Sequence, residues 1–372
     1  MDFNFSDDQE QLRDAVSRWV DKGYDFERRK SIVSNEGGFS AKAYAELAEL
    51  GLCGLMISSE HGGMDMGPVE AMVSMEALGA GLVLEPLAHT LLCSSIVQAY
   101  GDAAIQARYL PSMADGSCLM TLAYQERGGR YQLSHCTTRA QASAHGHTLS
   151  GVKHVVVAGA QAQALLVNAM LDGRMALFVV DTQATGVQAA GYLTQDGSAA
   201  AEVTFEGATA SLVTTDGLTA LEHAVDVGIA LLCAQAVGVM DKTLALTAEY
   251  MNTRKQFGVS IAGFQALRHR IADMKMALEL ARSISYYATL KVNAPADERR
   301  MAMARAKYQL GQSMRFVGQQ SVQLHGGIGV TDEYVGSHYF KALTQMELLF
   351  GDSNHHLGEV NARMQDTAGV FV

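Results

Sequence analysis

Beyond Pro111 the chain contains a single proline, Pro295, and that scarcity constrains its fold more tightly than any other feature. Proline removes a backbone donor and clashes with the preceding helical turn, so a region nearly free of it can run in long helices. Segments at roughly 221–254, 264–292, 297–325 and 339–368 keep a helical texture, and Pro295 falls between the second and third. Four long helices with short connections predict an up-and-down bundle. The first 120 residues read as shorter helices. Ser6 is a good N-cap for "DDQEQLRDAVSRWV", "AKAYAELAELGLCGL" stops at Gly51, and "GPVEAMVSMEALGAGL" repeats the amphipathic texture after Gly62-Gly63. From about 121 to 218 the period changes. "TLAYQE", "TLSGVKHVVVAG", "ALLVNAML", "MALFVVDT" and "AEVTFEGA" are short runs between Gly, Asp, Gln and Ser, as expected of an antiparallel sheet or small barrel. The expected class is α+β: helices over 1–120, an antiparallel β-domain over 121–218 and a four-helix bundle over 219–372.

Charge narrows the function. Acidic residues outnumber basic ones 39 to 28, a net −11. Nucleic acid and anionic membrane surfaces need clustered Lys and Arg, so neither is an expected partner. No run of ~18 uncharged apolar residues suggests a membrane span, and "MDFNFSDDQEQLRDAV" has no leader-like pattern, so a cytoplasmic location is expected. The five cysteines are scattered, as reduced thiols are, and the 12 histidines show no metal-ligand spacing.

Three stretches carry candidate chemistry. In "NTRKQFGVSIAGFQALRHRIADM", residues 252–274, Arg254 and Lys255 stand at a helix end before Gln256, Phe257 and Gly258. They either complement the helix dipole or form a clamp, with Arg254 gripping an anion and Phe257 packing on a ring. In "SVQLHGGIGVTDEY", residues 321–334, Gln323 precedes Gly326-Gly327. Glycines let amides approach an oxygen-rich ligand, or they simply stop a helix. This is not G-x-G-x-x-G after a strand, so no Rossmann site is indicated. In "LTQMELLFGDSNHHLGEV", residues 343–360, the Gly351-Asp352 pair beside His355 and His356 is a catalytic turn or a helix stop.

The helical–β–helical order, "RKQFG" with "QLHGGIG", "LGLCGLMISSEHGG" and the opening "FSDDQEQLRDAV" together resemble the acyl-CoA dehydrogenases over essentially the whole chain. The resemblance implies that family's fold, with an N-terminal helical domain, a central β-domain and a C-terminal four-helix bundle that mediates oligomerisation. It implies an FAD-dependent enzyme acting on an acyl-CoA thioester, with FAD at a subunit interface and electron-transfer flavoprotein as acceptor. Arg254, Gln256 and Phe257 would hold the FAD of a neighbouring subunit, with Gln265 in the same segment. Gln323, Gly326 and Gly327 would line its adenosine–pyrophosphate end.

The departures point to a specialised member. The family's "T-E-P-x-A-G-S-D" and "W-I-T-N" segments, which seat the flavin ring, correspond here to "LAYQERGGRY" and "HVVVAGAQ". The hydroxyl, the acidic-proline turn and the tryptophan are missing. The chemistry needs a carboxylate beside the substrate α-carbon. The family's "Y-E-G-T" base falls on Phe350 in an ungapped count, and Asp352 lies two residues late. A second family location for the base falls on Gly228-Ile229. Asp352 is then expected to be a helix N-cap, with the base role as its alternative, while His355 and His356 are expected to be solvated or at an interface. Keeping the adenosine clamp without ring seat or base resembles the non-basic subunit of a heteromeric acyl-CoA dehydrogenase, such as the pimeloyl-CoA dehydrogenase small subunit. That implies a second dehydrogenase subunit in an α2β2 assembly, of the kind used in fatty acid or steroid catabolism.

Overall fold

A computed structural model describes residues 5–143 and 146–367. Six helices lead the chain: α1 Asp7–Gly23, α2 Phe26–Asn35, α3 Ala41–Glu49, α4 Pro68–Ala80, α5 Leu87–Tyr100 and α6 Ala103–Ala114. Seven strands follow: β1 Met120–Ala123, β2 Arg139–Ser143, β3 Gly146–Val157, β4 Ala164–Leu171, β5 Arg174–Asp181, β6 Val187–Leu193 and β7 Ala199–Thr214. The last part holds α7 Gly217–Thr253, a hairpin of β8 Lys255–Gln256 and β9 Val259–Ser260, α8 Gln265–Lys291, α9 Ala296–His325, α10 Val335–Leu348 and α11 Ser353–Thr367. Ser6 caps α1 in a full capping box with Gln9.

The chain divides into two compact units, each built from separated pieces. One contains the residues up to Arg29, Met72–Val83 and Ile229 onward, so it joins α1 and α4 to the long C-terminal helices. Glycine permits the closest crossing there: a Cβ on Gly238 would stand 1.9 Å from the Glu76 carbonyl oxygen, and one on Gly79 2.0 Å from that of Gln235. Backbones of α4 and α7 therefore touch without side chains between them. Arg282 of α8 pairs with Glu76 of α4 beside this crossing.

The other unit holds Lys30–Ala71 and Leu84–Gly228, including all seven large strands. Pairing runs in a ring through β2, β3, β7, β5 and β4, so the sheet closes into a small barrel, with β6 added antiparallel to β7. Most pairs are antiparallel, as expected, but β1 lies parallel to β4, Met120 opposite Ala164.

One expectation needs correction. The helix expected over 339–368 is two helices, α10 and α11, broken at Leu349–Asp352 where Phe350 and Gly351 adopt φ of 58° and 110°. Helix α7 is long and apolar enough to cross a membrane, although Asp226 and Asp241 interrupt it, so it holds no run of ~18 uncharged apolar residues. Its apolar residues, Val225 through Met240 among them, are mostly buried in the protein instead.

A surface clamp and a buried turn

Arg254 leaves the end of α7 with its N–H donating to the Tyr250 carbonyl at 2.8 Å, and its own carbonyl accepts from Ile261 N–H at 2.9 Å. Those bonds anchor the β8–β9 hairpin, whose two-residue turn is Phe257-Gly258 with φ of 53° and 83°. Positive φ at both central positions gives tight turns the twist that hairpins favour, but it is unusual for a bulky residue. The turn holds Phe257 out at 92% exposure, its ring edge-on to Phe264 at 6.1 Å. Gln256 is exposed in β8, and Gln265 opens the 27-residue α8, whose start has no side-chain cap. Among the described residues the Arg254 side chain makes no hydrogen bond or ion pair.

The second motif ends α9 at the same end of the bundle, because the Tyr250 hydroxyl donates to the His325 carbonyl at 3.3 Å. Gln323 is exposed there. Gly326 adopts φ 65°, ψ −141°, a conformation open only to glycine, and a Cβ on Gly326 or Gly327 would meet nothing within 4 Å. An unpaired guanidinium, an uncapped helix start, bare glycine backbone and an exposed ring suit an aromatic group carrying phosphates. The adenosine diphosphate half of FAD fits that description. Arg254, Gln256, Phe257, Gln265, Gln323, Gly326 and Gly327 thus lie on two neighbouring exposed limbs of one unit.

The turn after α10 is a different environment. Asp352 caps α11, its Oδ1 accepting from His355 N–H at 2.8 Å. Phe350, at the position implied for a base, is only 5% exposed. His356 is not solvated as expected: it is buried and its Nε2–H donates to the Phe350 carbonyl at 2.9 Å. Burial, then the nearby Lys307 ammonium, pushes His356 down to about 2, so the ring is neutral. Lys307 is fully buried and donates to the carbonyls of Glu347 and Gly351, each at 2.8 Å. The Glu347 carboxylate accepts from Ser353 N–H at 3.0 Å, the Ser353 hydroxyl at 2.8 Å and Arg315 at 3.0 Å. Lys307 and Glu347 were not singled out from the sequence. The available signal was spacing: Lys307 lies on the stripe Met303, Leu310, Met314 that the helix buries. At the second implied base location, Gly228 and Ile229 are buried in α7. The nearby carboxylate Asp226 is buried too, two residues earlier and so about 200° around the helix from Gly228.

The barrel unit carries the segments that the resemblance implies for the ring seat. Glu126 accepts from Thr137 and Thr138, through both amides and both hydroxyls, and from Lys153 Nζ at 2.7 Å, which also donates to Asn168 Oδ1 at 2.7 Å. Burial works against its charge, but Lys153 and the hydroxyls outweigh it and hold the carboxyl well below the usual range. Glu126 is therefore a structural anion. Strand β3 bulges between Lys153 and Val156, with Val155 and Ala158 at φ of 51° and 48°.

Comparison with known proteins agrees with this fold. Residues 6–117 match the family model "Acyl-CoA dehydrogenase, N-terminal domain" and 215–365 match "Acyl-CoA dehydrogenase, C-terminal domain". The acyl-CoA dehydrogenase FadE27 of Mycobacterium tuberculosis is 26% identical, over 99% of this chain and 100% of its own. A variant of the steroid ACAD Tcur3481–Tcur3483 superposes with a TM-score of 0.90 at 27% identity, covering 97% of this chain and 98% of that one. The ChsE4–ChsE5 complex from Mycobacterium tuberculosis gives 0.88 at 25% identity, covering 99% of this chain and 100% of that one. With both terminal domains matched and the whole fold shared, the chain belongs to the acyl-CoA dehydrogenases, a family of FAD-dependent oxidoreductases.

Proposed function

We propose that this chain is the non-basic subunit of a heteromeric acyl-CoA dehydrogenase, in which it completes the FAD site of a catalytic partner. The observation that carries the reading is the contrast between the two sites. The adenosine clamp is exposed, with Phe257 92% accessible and Arg254 unpaired among the described residues, as a surface serving another chain's ligand would be. The base position holds a buried phenylalanine. Likeness to the two-component ACADs supports the assembly, which we take to be α2β2 and cytoplasmic, with electron-transfer flavoprotein as acceptor. FAD, when bound, accepts the hydride; this chain's part is to grip the cofactor's diphosphate with Arg254 and the Gly326-Gly327 backbone. A panel of aliphatic, dicarboxylic and steroid-derived acyl-CoA thioesters tests the substrate.

Flavin absorbance tests the assembly. Purified alone, the chain is expected to retain well under one FAD per protomer, and co-purified with a catalytic dehydrogenase subunit, to carry FAD in fixed ratio. Stoichiometric FAD in the homomer would count decisively against a partner.

The competing reading is a self-sufficient homotetramer with Asp352 as base. Its carboxylate is occupied in capping α11, and asparagine caps a helix as well as aspartate does. Asp352→Asn in the co-purified complex is therefore expected to change single-turnover flavin reduction by less than about threefold, whereas losing a base removes ~10²-fold or more. A loss of that larger size with flavin content intact would make Asp352 the base.

A further inference from the structure

The two limbs of the clamp are joined by three rings. His325 Nδ1 faces the Ser321 carbonyl at 2.8 Å, and a carbonyl only accepts, so Nδ1 carries the proton. Nε2 then holds a lone pair, to which the Tyr334 hydroxyl donates at 2.9 Å. The Tyr250 hydroxyl donates to the carbonyl of the same histidine. Ring centroids are 4.5 Å apart for Tyr250–His325 and 5.1 Å for His325–Tyr334. Gly336 makes room for the third ring, since a Cβ there would stand 2.7 Å from Tyr334. Burial keeps His325 below its ordinary value and pushes Tyr334 up to about 12, which preserves this donor order.

These rings stand between the two functional limbs. Tyr250 holds Arg254 through its carbonyl and His325 through its hydroxyl, and His325 immediately precedes Gly326. One turn below, the Thr247 and Ser321 hydroxyls meet at 3.0 Å, joining α7 to α9. We propose that Tyr250, His325 and Tyr334 are positioning residues that set the Arg254 limb against the Gly326-Gly327 limb at the separation a bound diphosphate requires. The proposal rests on the clamp reading above, and it adds three residues that touch no ligand themselves.

ADP, the diphosphate half of the cofactor, is the probe, titrated calorimetrically into the co-purified complex after its FAD has been removed. Tyr334→Phe and Tyr250→Phe keep the rings and remove one hydroxyl each. Each is expected to weaken ADP about five- to tenfold, as loss of a part-buried hydrogen bond does, with the thermal midpoint lowered by no more than about 4 °C. Because both act through His325, the double variant is expected to fall short of the product of the singles. In an Arg254→Ala background, Tyr334→Phe is expected to change ADP affinity less than about twofold, a coupling that a merely structural ring would not show. If Arg254→Ala weakens ADP but both hydroxyl variants bind as wild type does, or merely melt earlier, the positioning role is overturned and the clamp stands. If wild type and Arg254→Ala are indistinguishable toward ADP, including by no binding, the clamp itself falls and the proposal with it.

Discussion

Arg254→Ala is expected to strip FAD from the assembled complex, weakening its retention by about 100-fold while the bundle stays folded. A charge-assisted bond between guanidinium and phosphate contributes on the order of 3 kcal/mol in a bound complex, which converts to that factor. The fold should not suffer, because the Arg254 side chain makes no bond within the chain among the described residues and stands in solvent. The backbone bonds that anchor the hairpin, from Arg254 N–H to Tyr250 and from Ile261 N–H to Arg254, survive truncation at Cβ. Flavin absorbance after gel filtration, together with circular dichroism, reads both quantities. A folded variant with undiminished flavin would show that Arg254 only complements the end of α7. Arg254→Lys separates charge from geometry: lysine keeps the charge but lacks the planar fork, so recovery should be partial.

Lys307→Met carries the largest expected effect on stability, a loss of about 2–4 kcal/mol. Methionine matches the length of the lysine stem, but the carbonyls of Glu347 and Gly351 lose their buried donor. Each unsatisfied buried carbonyl costs about 1–3 kcal/mol, offset in part because an ammonium no longer has to be buried. The Glu347 carbonyl lies in the last turn of α10, where intrahelical partners run out, so the lysine also acts as its cap. The pH dependence provides a second readout. Burial lowers Lys307 from 10.5 to about 8, so between those values the unfolded chain holds a proton that the folded chain has released. The unfolded state then binds more protons, and stability contributed by this group rises with pH across that window. The neutral amine retains two protons for its two carbonyls, so deprotonation removes the burial penalty without breaking either bond. Urea midpoints of wild type and variant are therefore expected to diverge further from pH 8 to pH 10. A constant difference over that range would show that Lys307 does not titrate there.

Local patterns in the chain read through to structure wherever the deciding forces are local. The capping box at Ser6, the stop near Gly51, the length of α7, α8 and α9 and the change of period at 121 all depend on residues within a few positions of each other. Capping, turn formation and amphipathic spacing act over one or two helical turns, so one sequence suffices to see them. The proposed clamp residues could be named from the sequence for a related reason: their motifs are contiguous, and their exposure leaves little for distant packing to alter.

What lay beyond the sequence was set by residues far apart. The break between α10 and α11 has no proline, and only the packed structure shows it stabilised by Lys307, about 40 residues upstream. The role of His356 reversed because its imidazole is enclosed rather than solvated, and enclosure depends on every neighbour at once. Closure of the barrel requires pairings such as β3 with β7, whose register no local pattern encodes. The ring stack of Tyr250, His325 and Tyr334 likewise joins the ends of two helices with the approach to a third. The sequence by itself determined the helical and strand periods, the family and the two exposed motifs of the proposed clamp, because these depend on neighbours along the chain. Tertiary structure alone decided the sharing of the N-terminal helices between two units, the buried lysine clasp and the neutral histidines, because long-range packing sets which polar groups lose water and which partners they then find.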